Sequence, residues 1–216
     1  MVLAVMRRII GLAGVAMLSA CQAMSTPSAS PSAAPPEPME LTATSDPLPP
    51  GIYSRRAFDP HVTFELGEGW RAVQLLDGFF DVQRDVGGPD VIAVQFARPT
   101  RIWSASRLEA VDVATAQGAA DALSANDRLV IRETSTSQLG GLTGTVVEIE
   151  NAGQEHEHVM ELTAGELGID PSRRLWVGLY DTDDGLLAVM VGGSVDRWEQ
   201  ALAAAEPVLE SVRILD

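Results

Sequence analysis

The sequence has one cysteine, no lysine, few aromatic side chains and only three histidines. A single thiol, Cys21, cannot close a disulfide within the chain, so any folded part is held by its apolar core alone. Every basic side chain is an arginine, and 15 of them face 30 carboxylates, giving a net charge of −15. Such a surface repels phosphate backbones and anionic headgroups. It excludes nucleic acid as a partner and a polybasic patch as a membrane anchor. The missing lysines read as the codon usage of a GC-rich genome rather than as a chemical requirement. Three catalytic signatures are missing as well: the G-x-S-x-G nucleophile elbow, the H-E-x-x-H zinc helix and the phosphate-cradling G-x-x-x-x-G-K loop.

What the chain does have begins at its amino-terminal end. Arg7-Arg8 precedes about a dozen apolar residues, Ile9 to Ala20, too few to span a bilayer as a helix and suited to a secretory signal peptide. A start at Met6 would put the basic pair directly at the terminus. The paired arginines are the only match to a signal for export of folded protein. Leu18-Ser19-Ala20-Cys21 resembles a bacterial lipobox. There the small residues fit a narrow peptidase pocket, and the thiol is the nucleophile that takes a diacylglyceryl group. The expectation is a signal peptide over residues 1–20 and a lipoprotein that starts at an acylated, palmitate-bearing Cys21. Two chains are needed for durable anchoring to the outer, extracytoplasmic face of the cell membrane. All carboxylates lie beyond Cys21 and two arginines before it, so the exported part carries 13 arginines and a net −17.

From Gln22 to Pro50 eight of 29 residues are proline and bulky apolar side chains are scarce. This composition cannot offset the cost of ordering, so residues 21–50 are expected to be a disordered stalk. Its ends would lie roughly 30 Å apart as a coil and ~90 Å apart as polyproline.

Residues 51–216 read as one globular domain. Strands are expected at Ile52–Arg56, Val62–Leu66, Arg71–Leu75, Phe79–Arg84 and Val91–Phe96, joined by Gly, Asp and Pro turns that imply antiparallel hairpins. An irregular stretch from Thr100 to Asn126 contains a short Ala-rich helix over Ala114–Ala125. Further strands follow at Leu129–Thr136, Thr143–Glu150, His158–Leu162, Leu175–Asp181 and Leu186–Val191. The last of these is apolar throughout, so both its faces should be covered and it should lie centrally. In Leu175–Asp181, Leu175, Val177 and Leu179 share one side, with Trp176 and Tyr180 on the other. The chain closes with an amphipathic helix whose stripe is Trp198, Leu202, Ala205, Leu209 and Val212. Asp196 and Glu199 have capping-box spacing, and Pro207 should kink or divide the helix. The fold class is α+β, an antiparallel sheet with helices packed on it.

Three segments carry a family resemblance: Phe58-Asp59-Pro60 with Thr63-Phe64 and Gly69-Trp70; Gly140 to Thr145; and Ala205 to Arg213. They resemble segments of uncharacterised bacterial lipoproteins whose domain is similar to the PsbP-like α/β/α sandwich. The resemblance implies a sheet with helices on both faces and brings no catalytic residues with it. Thr100–Ala114 and Asn151–Arg173 match no such segment, which makes them natural places for a specific function.

Two clusters invite chemistry. Glu155-His156-Glu157-His158 would place two imidazoles on one face of a strand, as a zinc or copper site uses, but no spacing identifies a third ligand. A solvated edge beside Asn151-Ala152-Gly153 accounts for it better. Asp181-Thr182-Asp183-Asp184-Gly185 misplaces the glycine of a calcium loop, and Gly192 stands where the bidentate acid belongs; it reads as a hairpin turn. No metal, cofactor or catalytic residue is therefore expected. The expected function is a lipid-anchored, non-catalytic binding or interaction module at the cell envelope, with a protein or small ligand as partner. Two alternatives stand beside it. One is a carrier holding an apolar molecule between sheet and helix, where Trp70, Trp103 and Trp176 would line the cleft. The other is an envelope hydrolase using paired carboxylates.

Overall fold

The computed structural model describes residues 37–85, 88, 90–104 and 109–215. The signal peptide, Cys21 and the first part of the expected stalk fall outside these residues. Among the described residues no helix is long and apolar enough to cross a membrane.

The core is a seven-stranded antiparallel sheet in the order β4-β5-β6-β14-β13-β10-β9. Its strands are β4 (Arg71–Leu76), β5 (Phe79–Arg84), β6 (Ile92–Ala97), β14 (Gly185–Ser194), β13 (Arg173–Thr182), β10 (Leu142–Glu150) and β9 (Val130–Leu139). β14 is the middle strand, as its unbroken apolar run implies. Leu187, Val189 and Val191 enter one core, and Leu186, Ala188 and Met190 enter the other. β13 alternates as expected, with Trp176 and Tyr180 toward the first core and Leu175, Val177 and Leu179 toward the second. Asp183-Asp184 form a tight β13–β14 turn, and the Thr182 hydroxyl donates to the Gly185 carbonyl (2.7 Å).

On the first face lie helix α2 (Trp198–Ser211) and a four-stranded sheet of β1 (Met39–Glu40), β2 (Gly51–Arg55), β3 (His61–Leu66) and β15 (Arg213–Leu215). Aromatic rings join this sheet to the core. Phe64 of β3 stacks on Phe96 (centroids 5.5 Å), Phe96 on Phe80 (4.6 Å), and Phe58 meets Phe80 edge-on at 4.9 Å. On the second face lie helix α1 (Ala116–Ser124) and another four-stranded sheet of β12 (Gly165–Ile169), β11 (Glu157–Leu162), β7 (Pro99–Ser104) and β8 (Glu109–Asp112). Thr115 caps α1 by accepting from the Gly118 N–H (3.1 Å), and Asp181 accepts from the Ala116 N–H (2.7 Å).

The architecture corrects the expected α/β/α sandwich. Each outer layer is one helix sharing its face with a small sheet; on the second face the stretch read as irregular supplies β7 and β8, which pair beside the expected strand β11 and the unexpected β12. Thr100–Ala114 and Asn151–Arg173, the two segments without a family match, supply β7, β8, β11 and β12 and pair with each other. β11 itself is the strand expected at His158–Leu162, and it carries register shifts against both of its neighbours.

The expected stalk boundary at Pro50 is corrected too. Residues 37–50 run along the domain. β1 pairs in parallel with β2, and Leu41 and Leu48 are buried. The Leu41 N–H donates to the Ser54 carbonyl (2.7 Å), the Thr44 N–H to Ala72 (3.0 Å) and the Leu48 N–H to Trp70 (2.7 Å). Prolines fit an extended segment that donates only at intervals, and this segment covers part of the edge at β4.

α2 departs from expectation in three ways. Its buried stripe is Trp198, Ala201, Ala205, Val208 and Val212, with Leu202 and Leu209 only half-buried. Small residues on the buried face bring the helix close to β14, and this rotates the larger leucines toward its flank. No capping box forms. A 3₁₀ turn, Val195–Arg197, leads straight into the helix without a side-chain cap, and the Val195 N–H donates to the Ser172 carbonyl. Pro207 lies inside a helix that continues undivided to Ser211; it sits on the exposed side, where the loss of one backbone bond is tolerated.

Candidate functional site: a groove between helix and sheet edge

α2 lies across β14 and β6 and against β3. The same face of the central sheet continues beyond it over β13 and β10 to the edge strand β9, and there a groove of about 470 Å³ opens. Trp176 and Leu139 line its sheet side together with Ser137 and Gln138. Leu202, Ala203, Leu209 and the carboxylates Glu199, Glu206 and Glu210 line its helix side.

Strand register builds the floor. Ser137, Gly144 and Tyr180 form one cross-strand row, and Glu133, Glu148 and Trp176 form another; residues in such rows share a face. Between the rows stands Gly178. A Cβ there would lie 2.7 Å from both the Trp176 ring and the Tyr180 hydroxyl, and a Cβ at Gly144 would run into the Tyr180 ring. Two bare backbones therefore let the aromatic side chains lie flat on the sheet. The Tyr180 hydroxyl is buried without a well-formed hydrogen bond, with Ser137 as its polar neighbour, and burial raises its pKa above the ordinary phenol value.

At the amino-terminal end of α2 an ion pair lies beside Trp198. Glu148 of β10 pairs with Arg174 of β13, whose guanidinium lies 5.2 Å from the Trp198 ring centre. Burial raises the Glu148 carboxyl above its usual range, with Arg174 opposing that shift. Next to it Arg132 Nε donates to Glu150 at 2.7 Å, and this hydrogen bond holds Glu150 below the usual range.

Of the three tryptophans expected to line a cleft, the structure puts only Trp176 there. Trp70 is buried in the core among the phenylalanines, and Trp103 lies on the opposite layer with its ring 5.1 Å from that of His158. The histidine pair does share one side. His156 Nδ1 is 2.8 Å from Asp170 and His158 Nδ1 is 2.9 Å from Glu166, while Glu157 turns away to Arg128. Asn151 pins the approach by donating to the carbonyls of Glu155 and Ile169. Each imidazole thus has its own carboxylate, and among the described residues no three ligating side chains converge on one point.

Sequence reasoning assigned Leu202 and Leu209 to the core and so missed the helix side of the groove. The signal was present. Glu199, Leu202, Glu206 and Leu209 follow one another at steps of three and four, an amphipathic stripe beside the buried one.

No protein-family profile matches the chain, and no curated protein matches it. Solved structures similar to it include cyanobacterial PsbP from Synechocystis sp. PCC 6803, at 14% identity and a TM-score of 0.45, covering 77% of this chain and 92% of that one. LpqN of Mycobacterium tuberculosis, described as involved in cell envelope biogenesis, is similar at 11% identity and a TM-score of 0.37, covering 79% and 90%. Both are likenesses of chain trace, and no ligand or activity is carried over from them.

Proposed function

We propose that this protein is a lipid-anchored, extracytoplasmic, non-catalytic binding module, with the groove between α2 and the β9 edge as its binding site. The groove carries this reading. It is an open concavity with an aromatic and aliphatic floor and polar walls, the usual form of a recognition site. The leader and the lipobox before Cys21 support the tether. The test recovers the native protein from crosslinked envelopes beside a Leu202→Gln/Leu209→Gln variant. A partner or ligand held by the native chain and lost from the variant is expected; recovery of the same set from both would overturn the assignment. For the anchor, Cys21→Ser is expected to move the protein from the detergent phase to the aqueous phase.

A carrier for an apolar molecule is the second reading, and Trp176, Leu139, Leu202 and Leu209 on facing walls favour it. Solvent extraction of the purified native protein followed by mass spectrometry distinguishes the two, since a carrier releases a stoichiometric apolar compound.

A further inference from the structure

We infer that the occupant of this groove is a basic amphipathic segment of a partner protein, an inference that rests on the binding-site reading above.

The charge argument comes first. Some carboxylates elsewhere on the domain are answered within the chain, Asp112 and Glu161 by Arg101, Glu157 by Arg128 and Glu150 by Arg132, and others stand without an ion pair among the described residues. What sets the groove apart is that three such carboxylates follow one another along one wall of a concavity. Glu199, Glu206 and Glu210 have no ion pair among the described residues. The neighbouring arginines are engaged elsewhere. Arg174 pairs with Glu148, Arg197 pairs with Asp90, and Arg213 donates to the carbonyls of Glu210 and Val212. Pro207 adds a further acceptor, because it has no N–H for the carbonyl of Ala203, which lines the same groove. The rim thus offers acceptors and negative charge, and its complement brings donors and positive charge.

The groove demands apolar contact as well, through Trp176 on the sheet side and Leu202 and Leu209 on the helix side, and an aromatic face also attracts guanidinium and ammonium groups. Length then separates a peptide from a small amphiphile. Glu199 and Glu206 stand about 10 Å apart along α2, and Glu210 lies about 6 Å further on. One cationic headgroup answers one of these carboxylates, whereas basic residues repeated along a segment answer all three. A second copy of this chain is a poor occupant, since its exported part carries −17.

The experiment uses the full mature chain in phosphatidylcholine nanodiscs and labelled helical peptides of about four turns, with leucines on one face. The other face carries arginine, glutamine or glutamate. Fluorescence anisotropy should show binding of the arginine peptide, about tenfold weaker binding of the glutamine peptide and none of the glutamate peptide. Glu199→Gln/Glu206→Gln/Glu210→Gln should cost the arginine peptide about tenfold and flatten its salt dependence. Leu202→Gln/Leu209→Gln should weaken all binding. Equal affinity for the three peptides overturns the charge assignment while the groove reading stands. Arginine-peptide binding indifferent to the leucine changes overturns the groove itself as the peptide site. Failure of the arginine peptide to bind, or dodecyltrimethylammonium binding as tightly, overturns the peptide assignment; the envelope recovery above then judges the groove separately.

Discussion

The two faces of the central sheet are covered by the same kind of layer, one helix and one four-stranded sheet, yet they end differently. On the second face α1 reaches β10 and β13, and the small sheet completes a closed aliphatic core of Ile102, Leu123, Val147, Ile149 and Met160. Several of the charges outside it are paired, as in Arg101 with Asp112 and Glu161. On the first face an aromatic core is equally closed under α2 and β3, but the layer stops before β10 and β9 and its carboxylates there are left unanswered. The difference teaches what singles out the proposed site: interrupted coverage of the sheet, with three carboxylates and an apolar surface gathered on one concavity.

Breaking the aromatic core should have the largest effect. Phe80→Ala removes a ring packed against Phe58, Phe64 and Phe96 and should cost about 3–5 kcal/mol in urea unfolding; Leu123→Ala in α1 should cost about 2–4 kcal/mol. The reverse order would make the second face the principal core.

Asp81→Ala comes next. The buried Asp81 carboxylate accepts the Gln74 N–H (2.7 Å) where β4 slips its register against β5. Leaving that donor unpaired should cost about 1–3 kcal/mol in the same unfolding measurement.

Titration sharpens the comparison further. Burial raises the Asp81 pKa in the folded chain, so the fold binds this proton more tightly than the unfolded chain does. The stability it adds is present below the ordinary carboxylate range and is lost as pH rises through the raised value. Glu150, held low by Arg132, has the opposite sign: its contribution is present above the ordinary range and is lost as pH falls through the lowered value. Asp81→Asn should therefore remove a decline in stability with rising pH, and Glu150→Gln should flatten the acid limb. Melting temperatures across the acid range check both. The smallest effect is expected at the groove, where Leu202→Gln is half-exposed and should shift stability by about 0.5 kcal/mol or less while weakening binding.

The central sheet was legible because its strands obey a simple period. Phe79–Arg84 was bounded correctly, and the unbroken Leu186–Val191 run placed β14 between two cores. Of the second small sheet only β11 was legible, as His158–Leu162. Pro99 opens β7, and β12 reads Gly-Glu-Leu-Gly-Ile, which looks like a turn until a partner strand supplies its hydrogen bonds. The site was half legible. Trp176 falls on the side of β13 that faces the helix, but which tryptophans meet depends on strand order, and sequence spacing does not give that. The rotation of α2 was hidden for a similar reason. Hydrophobicity favours Leu202 and Leu209 for burial, whereas close packing favours Ala201 and Ala205.

The docking of residues 37–50 along the domain has a consequence for the proposed tether. With Cys21 as the proposed anchor, fifteen residues, 22 to 36, separate it in sequence from the first residue described, against the 29 that composition suggested. Effective concentration falls roughly as the −3/2 power of linker length, so a flexible tether of fifteen residues in place of 29 would raise the density of the proposed binding sites near the bilayer about 2.7-fold. Under that proposal the module would meet partners displayed close to the lipid surface.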